Sequence, residues 1–145
     1  MTDRAVSLNP NSFGAWNCRG FVYRNAGLQE EAVRSFERAM RISPVDPRQH
    51  TALAGMAAAF IELRRFGEAI VAGKKAIRTV PSYSLAYRFL ASAFAHVGRE
   101  VEAREMAARA LEFDPGFTIS AGIARGGLSN AKLLIEGFRK AGLPE

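Results

Sequence analysis

The sequence predicts an all-α chain: a solenoid of three stacked helix-turn-helix repeats, with part of another repeat before them and a capping helix at the C-terminal end. Two observations predict it. The pattern Ala-x-x-x-x-Pro occurs at Ala5 to Pro10, Ala39 to Pro44, Ala76 to Pro81 and Ala110 to Pro115, so the prolines stand 34, 37 and 34 residues apart. Other columns keep the same phase: Ala32, Ala69 and Ala103; Trp16, Leu53 and Tyr87; Tyr23, Phe60 and Phe94; Gly20, Ala57 and Ala91. Within each unit the apolar residues also fall three and four apart in two stretches, which is helical spacing, with a break at Gly27, Arg64 and Gly98.

The elements follow in order. Residues 1–12, with Arg4-Ala5-Val6-Ser7-Leu8-Asn9-Pro10, match the end of a second helix and its turn, as though cut from a longer array. The repeats occupy 13–46, 50–83 and 84–117, with Pro47, Arg48 and Gln49 inserted between the first two. Their first helices are expected at 12–26, 47–63 and 82–97, and their second helices at 29–42, 66–79 and 99–113. Asp46 before Pro47 is a start signal, because a carboxylate can accept first-turn amides and proline has none to leave unpaired. The small column of each first helix should face the small column of each second, letting the backbones approach. Gly73 and Ala107 stand where the first unit has Phe36, so the later units should pack differently there. Residues 118–128 read as a glycine-rich linker. Over 129–145, Ser129 should cap a last amphipathic helix reaching Lys140, with Leu133, Leu134 and Phe138 facing the third repeat.

Trp16-x-x-Arg19-Gly20-x-x-Tyr23, then Ala32-x-x-x-Phe36, then Pro44, resembles the tetratricopeptide repeat (TPR), lacking only its usual Leu before the Gly. Asp46-Pro47-Arg48, Asp114-Pro115-Gly116-Phe117-Thr118 and the tail from Leu134 to Pro144 are similar to the C-terminal TPR region of bacterial class III adenylate/guanylate cyclases. That resemblance implies a parent with an N-terminal cyclase domain, while none of the catalytic residues of a cyclase lies in this chain.

Composition narrows the function classes. With 48% hydrophobic residues and a net charge of +6 over 145 residues, the chain reads as a folded domain and not a disordered one. No apolar run approaches the ~18–20 residues that cross a bilayer, and one cysteine allows no internal disulfide, so a cytoplasmic, membrane-independent module is expected. His50, His96 and Cys18 lie in unrelated places and no HExxH, GxSxG or GxxxxGK[ST] pattern occurs, so no catalytic residue, metal or cofactor is assigned. Cys18 is expected to be a small buried packing residue.

The candidate site is the concave groove that the first helices line. By repeat position it includes Asn17, Phe21, Arg24 and Asn25; Ala54, Ala58, Ile61 and Glu62; and Leu85, Arg88, Ser92 and His96. Phe21, Ile61 and Leu85 suit an apolar side chain, and Arg24 and Arg88 could fix a carboxylate. A groove filled by solvent or by the chain itself weighs equally. The Lys/Asn clamp of chaperone-binding members is missing, since Asn17, Phe21, Gly55, Leu85 and Phe89 stand at its places. Arg4, Arg38, Lys75 and Arg109, with Arg41, Lys74 and Arg78, form a basic column on the second helices, but glutamates at 37, 68, 102 and 105 are mixed with it. The expected function is therefore a non-catalytic interaction or regulatory module, with a protein, a peptide or an N-terminal domain of the same polypeptide as its partner. The alternatives are a scaffold in another signalling protein or a basic adaptor for nucleic acid. An exposed N-terminal end would favour a homodimer induced by truncation.

Overall fold

A computed structural model describes residues 12–145 and is helical throughout its regular elements. In chain order these are α1 (Phe13–Asn25), α2 (Gln29–Ile42), α3 (Gln49–Glu62), α4 (Phe66–Thr79), α5 (Ser84–His96), α6 (Glu100–Phe113), α7 (Ile119–Ala124) and α8 (Lys132–Lys140). The part-repeat expected before Pro10, the Arg4 end of the basic column and the apolar face inferred beside it lie outside the described residues. Helices α1 and α2, α3 and α4, and α5 and α6 form three hairpins, and each second helix also packs on the first helix of the next hairpin.

Local signals account for the hairpins. Ser12 Oγ accepts the Ala15 amide and caps α1. Each first helix ends in the same way, with a residue at positive φ: Gly27 at 85°, Arg64 at 60° and Gly98 at 81°. The amides that follow, of Leu28, Arg65 and Arg99, return to the carbonyls of Tyr23, Phe60 and Phe94. This is a Schellman ending, which satisfies helix carbonyls that have no partner within the helix. Helix α3 begins two residues later than expected, so Asp46 is not its cap. Asp46 accepts the Arg48 amide at 2.8 Å and pairs with the Arg48 guanidinium, and Pro47 and Arg48 stay in a turn ahead of α3.

The alanine columns are buried, but the closest approach in the first repeat is not between small residues. The Phe36 ring lies against both Gly20 and Gly55, so closely that a Cβ on either glycine would fall 2.5 or 2.4 Å from a ring carbon. Glycine at both places makes room for the aromatic. In the second repeat Gly73 replaces the phenylalanine, and the Leu90 side chain of α5 fills the space. Cys18 is exposed and is not a core residue, because it lies off the α1 face that buries Phe13, Gly20 and Arg24.

The C-terminal region departs from expectation in two ways. The segment 118–128 holds the short helix α7, capped by Thr118 Oγ1 on the Ala121 amide. Ser129 caps nothing: its hydroxyl donates to the Gly126 carbonyl, and α8 begins three residues later. Helix α8 packs mainly on α5 and reaches α3, so it lies across the first helices and does not continue the stack beyond α6. The chain then turns back. Pro144 and Glu145 carbonyls accept the amides of Ile119 and Ser120, and Leu143 is buried with Phe117 and Phe138.

Candidate functional site

The face where the first helices were expected to line a groove is covered by the chain's own segment from Arg125 to Lys140. Glu62, at the end of α3, receives the amides of Leu133 and Leu134 at 3.1 and 2.7 Å, one on each carboxylate oxygen. These amides open α8 and have no carbonyl partner within it, so a carboxylate there meets both the free donors and the positive end of the helix dipole. Ser92 Oγ donates to the Leu134 carbonyl at 3.0 Å, and His96 Nε2 lies 2.6 Å from the Leu133 carbonyl. The His96 ring stacks on Phe66 at 4.8 Å, which fixes its plane.

Further toward α1, Arg24 donates to the Gly127 carbonyl at 3.0 Å, and Asn130 Nδ2 donates to the Asn25 carbonyl at 2.7 Å. Gln29 Nε2 bonds the carbonyls of Arg24 and Asn130. Most of these polar contacts read the backbone of the docked segment. Apolar contacts lie below: Ile61 and Leu134 are both fully buried, and the Phe138 ring stacks parallel to Phe89 at 6.4 Å and meets Phe117 edge-on at 5.8 Å.

The predicted site residues therefore divide. Arg24, Asn25, Glu62, Ser92 and His96 contact the docked segment through hydrogen bonds, or through the backbone in the case of Asn25. Ile61, Ala54 and Ala58 are buried beneath it in the core, and Leu85 is half-buried beside Phe138. Arg88 turns from the groove to Asp114, 3.3 Å away. Asn17 bonds Thr51 at 3.0 Å between α1 and α3, and Phe21 packs edge-on against Phe36 at 4.9 Å, so both serve the hairpin junction. The sequence reading missed Gln29, Gly127, Asn130 and Gly137. The signal for Gly137 was present in the Leu134-x-x-Gly137-Phe138 spacing, which puts a residue without a side chain on the buried face of α8.

Electrostatics follow burial. Withdrawal from water pushes the Glu62 carboxyl above its ordinary range, and the two amides with nearby His96 and Arg24 pull it back in part. Burial likewise lowers the Arg24 pKa, opposed by the Glu62 charge.

On the opposite side, an open groove of about 760 Å³ separates α2 from α4, floored by Met56 and Phe60 and rimmed by Glu37, Arg41, Glu68 and Lys75. Three members of the basic column have local contacts. Arg38 lies 4.8 Å above the Trp16 ring, Lys74 lies 5.7 Å from Phe94, and Arg109 pairs with Glu112. Among the described residues no cluster of His, Cys, Asp and Glu could hold a metal ion, and no helix is long and apolar enough to cross a membrane.

Comparison with known proteins agrees with this geometry. The tetratricopeptide repeat family model matches residues 1–34. The inactive TPR repeat-containing thioredoxin TTL3 of Arabidopsis thaliana is 39% identical over 83 residues; the match takes in 57% of this chain and 11% of that protein, so the chain corresponds to a small part of its curated relative. Among solved structures, MamA superposes with a TM-score of 0.69 at 23% identity, covering 97% of this chain and 82% of that one. The first TPR of Spaghetti (RPAP3), bound to the HSP90 peptide SRMEEVD, superposes with a TM-score of 0.68 at 22% identity, covering 80% and 90%. With its repeat columns, Schellman-ended hairpins and these likenesses, the chain has the fold of a tetratricopeptide-repeat α-solenoid.

Proposed function

We propose that the chain is a non-catalytic protein-interaction module whose concave groove receives an amphipathic helix, and that its own α8 occupies the groove until a partner displaces it. The observation that carries this reading is the pairing of Glu62, Ser92 and His96 with backbone groups of Leu133 and Leu134. Contacts to main-chain atoms ask for a helix start and leave side-chain choice to the apolar positions of Leu134 and Phe138. The groove thus favours a segment with apolar residues four apart and a glycine one place before the second. A helix tethered in cis acts at an effective concentration of about millimolar. A partner must bind well enough to compete with it, or must meet the chain when α8 is released. The peptide-bound RPAP3 structure supports a peptide partner in this fold.

A labelled synthetic peptide of residues 129–145 tests the reading. It should bind a Gly137→Ala variant, whose own helix no longer fits, and bind the parent chain far more weakly. Equal binding to both, or binding to neither, would sink the proposal.

We further infer, from the Asp46-Pro47-Arg48, Asp114–Thr118 and Leu134–Pro144 segments alone, that the parent is a bacterial class III nucleotide cyclase working in the cytoplasm. The coding sequence upstream tests this, and an open frame without a cyclase domain would point instead to another signalling scaffold.

A further inference from the structure

A cavity of about 170 Å³ lies where α1 and α5 meet the segment that follows α6, and three arginines line it: Arg24, Arg88 and Arg125. Arg24 and Arg88 come from the concave helices and are 6% and 7% exposed, while Arg125 stands exposed at the mouth. A guanidinium carries five N–H donors and keeps its charge. Arg24 uses one nitrogen, Nη2, on the neutral carbonyl of Gly127, and its Nε is shut off from solvent without a hydrogen-bond partner among the described residues. Arg88 uses Nη1 alone, on Ser84 Oγ at 3.4 Å and Asp114 Oδ2 at 3.3 Å. Among the described residues Asp114 is the one carboxylate within ion-pair distance of any of the three. Glu62, the next acidic group toward Arg24, is committed to the α8 amides.

Buried charge is kept where an opposite charge meets it, because leaving it unpaired is costly. Two buried guanidiniums and the exposed Arg125 outnumber the carboxylates near them, Asp114 against Arg88 and Glu62 at longer range from Arg24, so the cavity keeps a net positive charge. The remaining wall is apolar: the Phe117 ring lies 4.2 Å from the Arg88 guanidinium carbon, with Phe89, Phe138 and Leu128 beside it. We propose that this cavity binds a small organic carboxylate with an apolar body, its oxygens on Arg24 and Arg88 and its body against Phe117 and Phe138. The volume falls below the ~300–1,000 Å³ of pockets for drug-sized ligands. Gly127 and Leu128 close one side, so the occupant is a free small molecule and not a peptide chain. Because Arg125, Gly127 and Leu128 belong to the segment that leads into α8, such a ligand joins that segment to the concave helices and holds α8 in place. The site is complete only while α8 is docked, since Phe138 and Leu128 form part of its wall.

The test is titration of the full chain with phenylacetate, benzoate and, as an inorganic control, sulfate, followed by heteronuclear NMR with the arginine Nε–H signals resolved. Saturable shifts at Arg24, Arg88 and Phe117 with the aromatic carboxylates are expected, together with a rise in melting temperature. Arg24→Gln and Arg88→Gln should each weaken binding about tenfold or more, the scale of one lost charge-assisted pair, while Arg109→Gln should not. Each variant is checked for its helical spectrum, and Arg88→Lys, which keeps the charge, should retain part of the affinity. No saturation, shifts confined to other surfaces, unchanged affinity in both Gln variants, or sulfate binding as tightly at the same residues would overturn the proposal.

Discussion

Gly137 of α8 stands against Ser92 of α5 so closely that a Cβ on the glycine would fall 2.0 Å from the serine Oγ and 2.7 Å from its Cα. The second distance is to backbone, so no rotamer change relieves it. The same approach brings Ser92 Oγ to the Leu134 carbonyl. Gly137→Ala must therefore lift α8 or shift α5, and overpacking of this kind costs about 1–3 kcal/mol. A lowered melting temperature and faster amide exchange over residues 132–140 are expected, with the exchange of α1 to α4 little altered. Unchanged exchange in α8 would show that the helix adjusts in place.

Glu62 gives the docked state a pH dependence. Its carboxyl titrates above the ordinary range in the folded chain, since burial opposes its charge more than the two amides favour it. A raised folded pKa means that the native state holds the proton more tightly. Its contribution is complete below the unfolded value of about 4.3 and is lost as pH rises through the folded value. Glu62→Gln removes that titration. The stability of the Gln variant relative to the parent should rise across that window and stay level above it. A difference independent of pH would contradict the assignment.

The hairpins were legible because two local codes repeat: the spacing of apolar residues, and the turn residue at 27, 64 and 98. Repeat position singled out Glu62, Ser92 and His96, which meet α8, but by the same rule it singled out Asn17, Phe21 and Arg88, which pack or pair elsewhere. What occupies the concave face was not legible. Periodicity marks Leu134 and Phe138 as an apolar stripe, yet the outer side of α6 and the concave side of α5 both offer apolar surface to it. The choice rests on polar partners far apart in sequence, Glu62 with Leu133 and Arg24 with Gly127, and on the gap that Gly137 leaves. Cys18 was misread for a similar reason, because its neighbours Trp16 and Gly20 in sequence do not share its direction from the helix.

Phe36 offers a direct measure of the first hairpin junction. Its ring is fully buried between Gly20 of α1 and Gly55 of α3 and meets Phe21 edge-on. Neither glycine has a side chain to move into the space left by Phe36→Ala, so the cavity should persist. A loss of about 3–5 kcal/mol is expected, read from denaturant unfolding. Phe36→Leu should cost less. If both variants match the parent, the junction collapses around the change and is not held open by the ring.

Arg64 tests the repeat code at one backbone angle. It adopts φ of 60°, where Gly27 and Gly98 adopt 85° and 81° at the equivalent places. All three close the same pair of bonds, with the Arg65 amide on the Phe60 carbonyl at 2.8 Å and the Arg64 amide on the Ile61 carbonyl at 3.0 Å. A side chain in this region costs roughly 1–2 kcal/mol from contact between Cβ and the carbonyl. Glycine removes that cost but gives the unfolded chain more freedom, worth about 0.4–1 kcal/mol in the opposite direction. Arg64 is exposed and takes part in no ion pair among the described residues, so little else is lost with it. Arg64→Gly should therefore stabilise the chain by about 0.5–1 kcal/mol, seen as a melting temperature a few degrees higher. Arg64→Asn, which tolerates the same angle, should fall between the two. A melting temperature for Arg64→Gly at or below that of the parent would mean that the turn is not strained by its arginine.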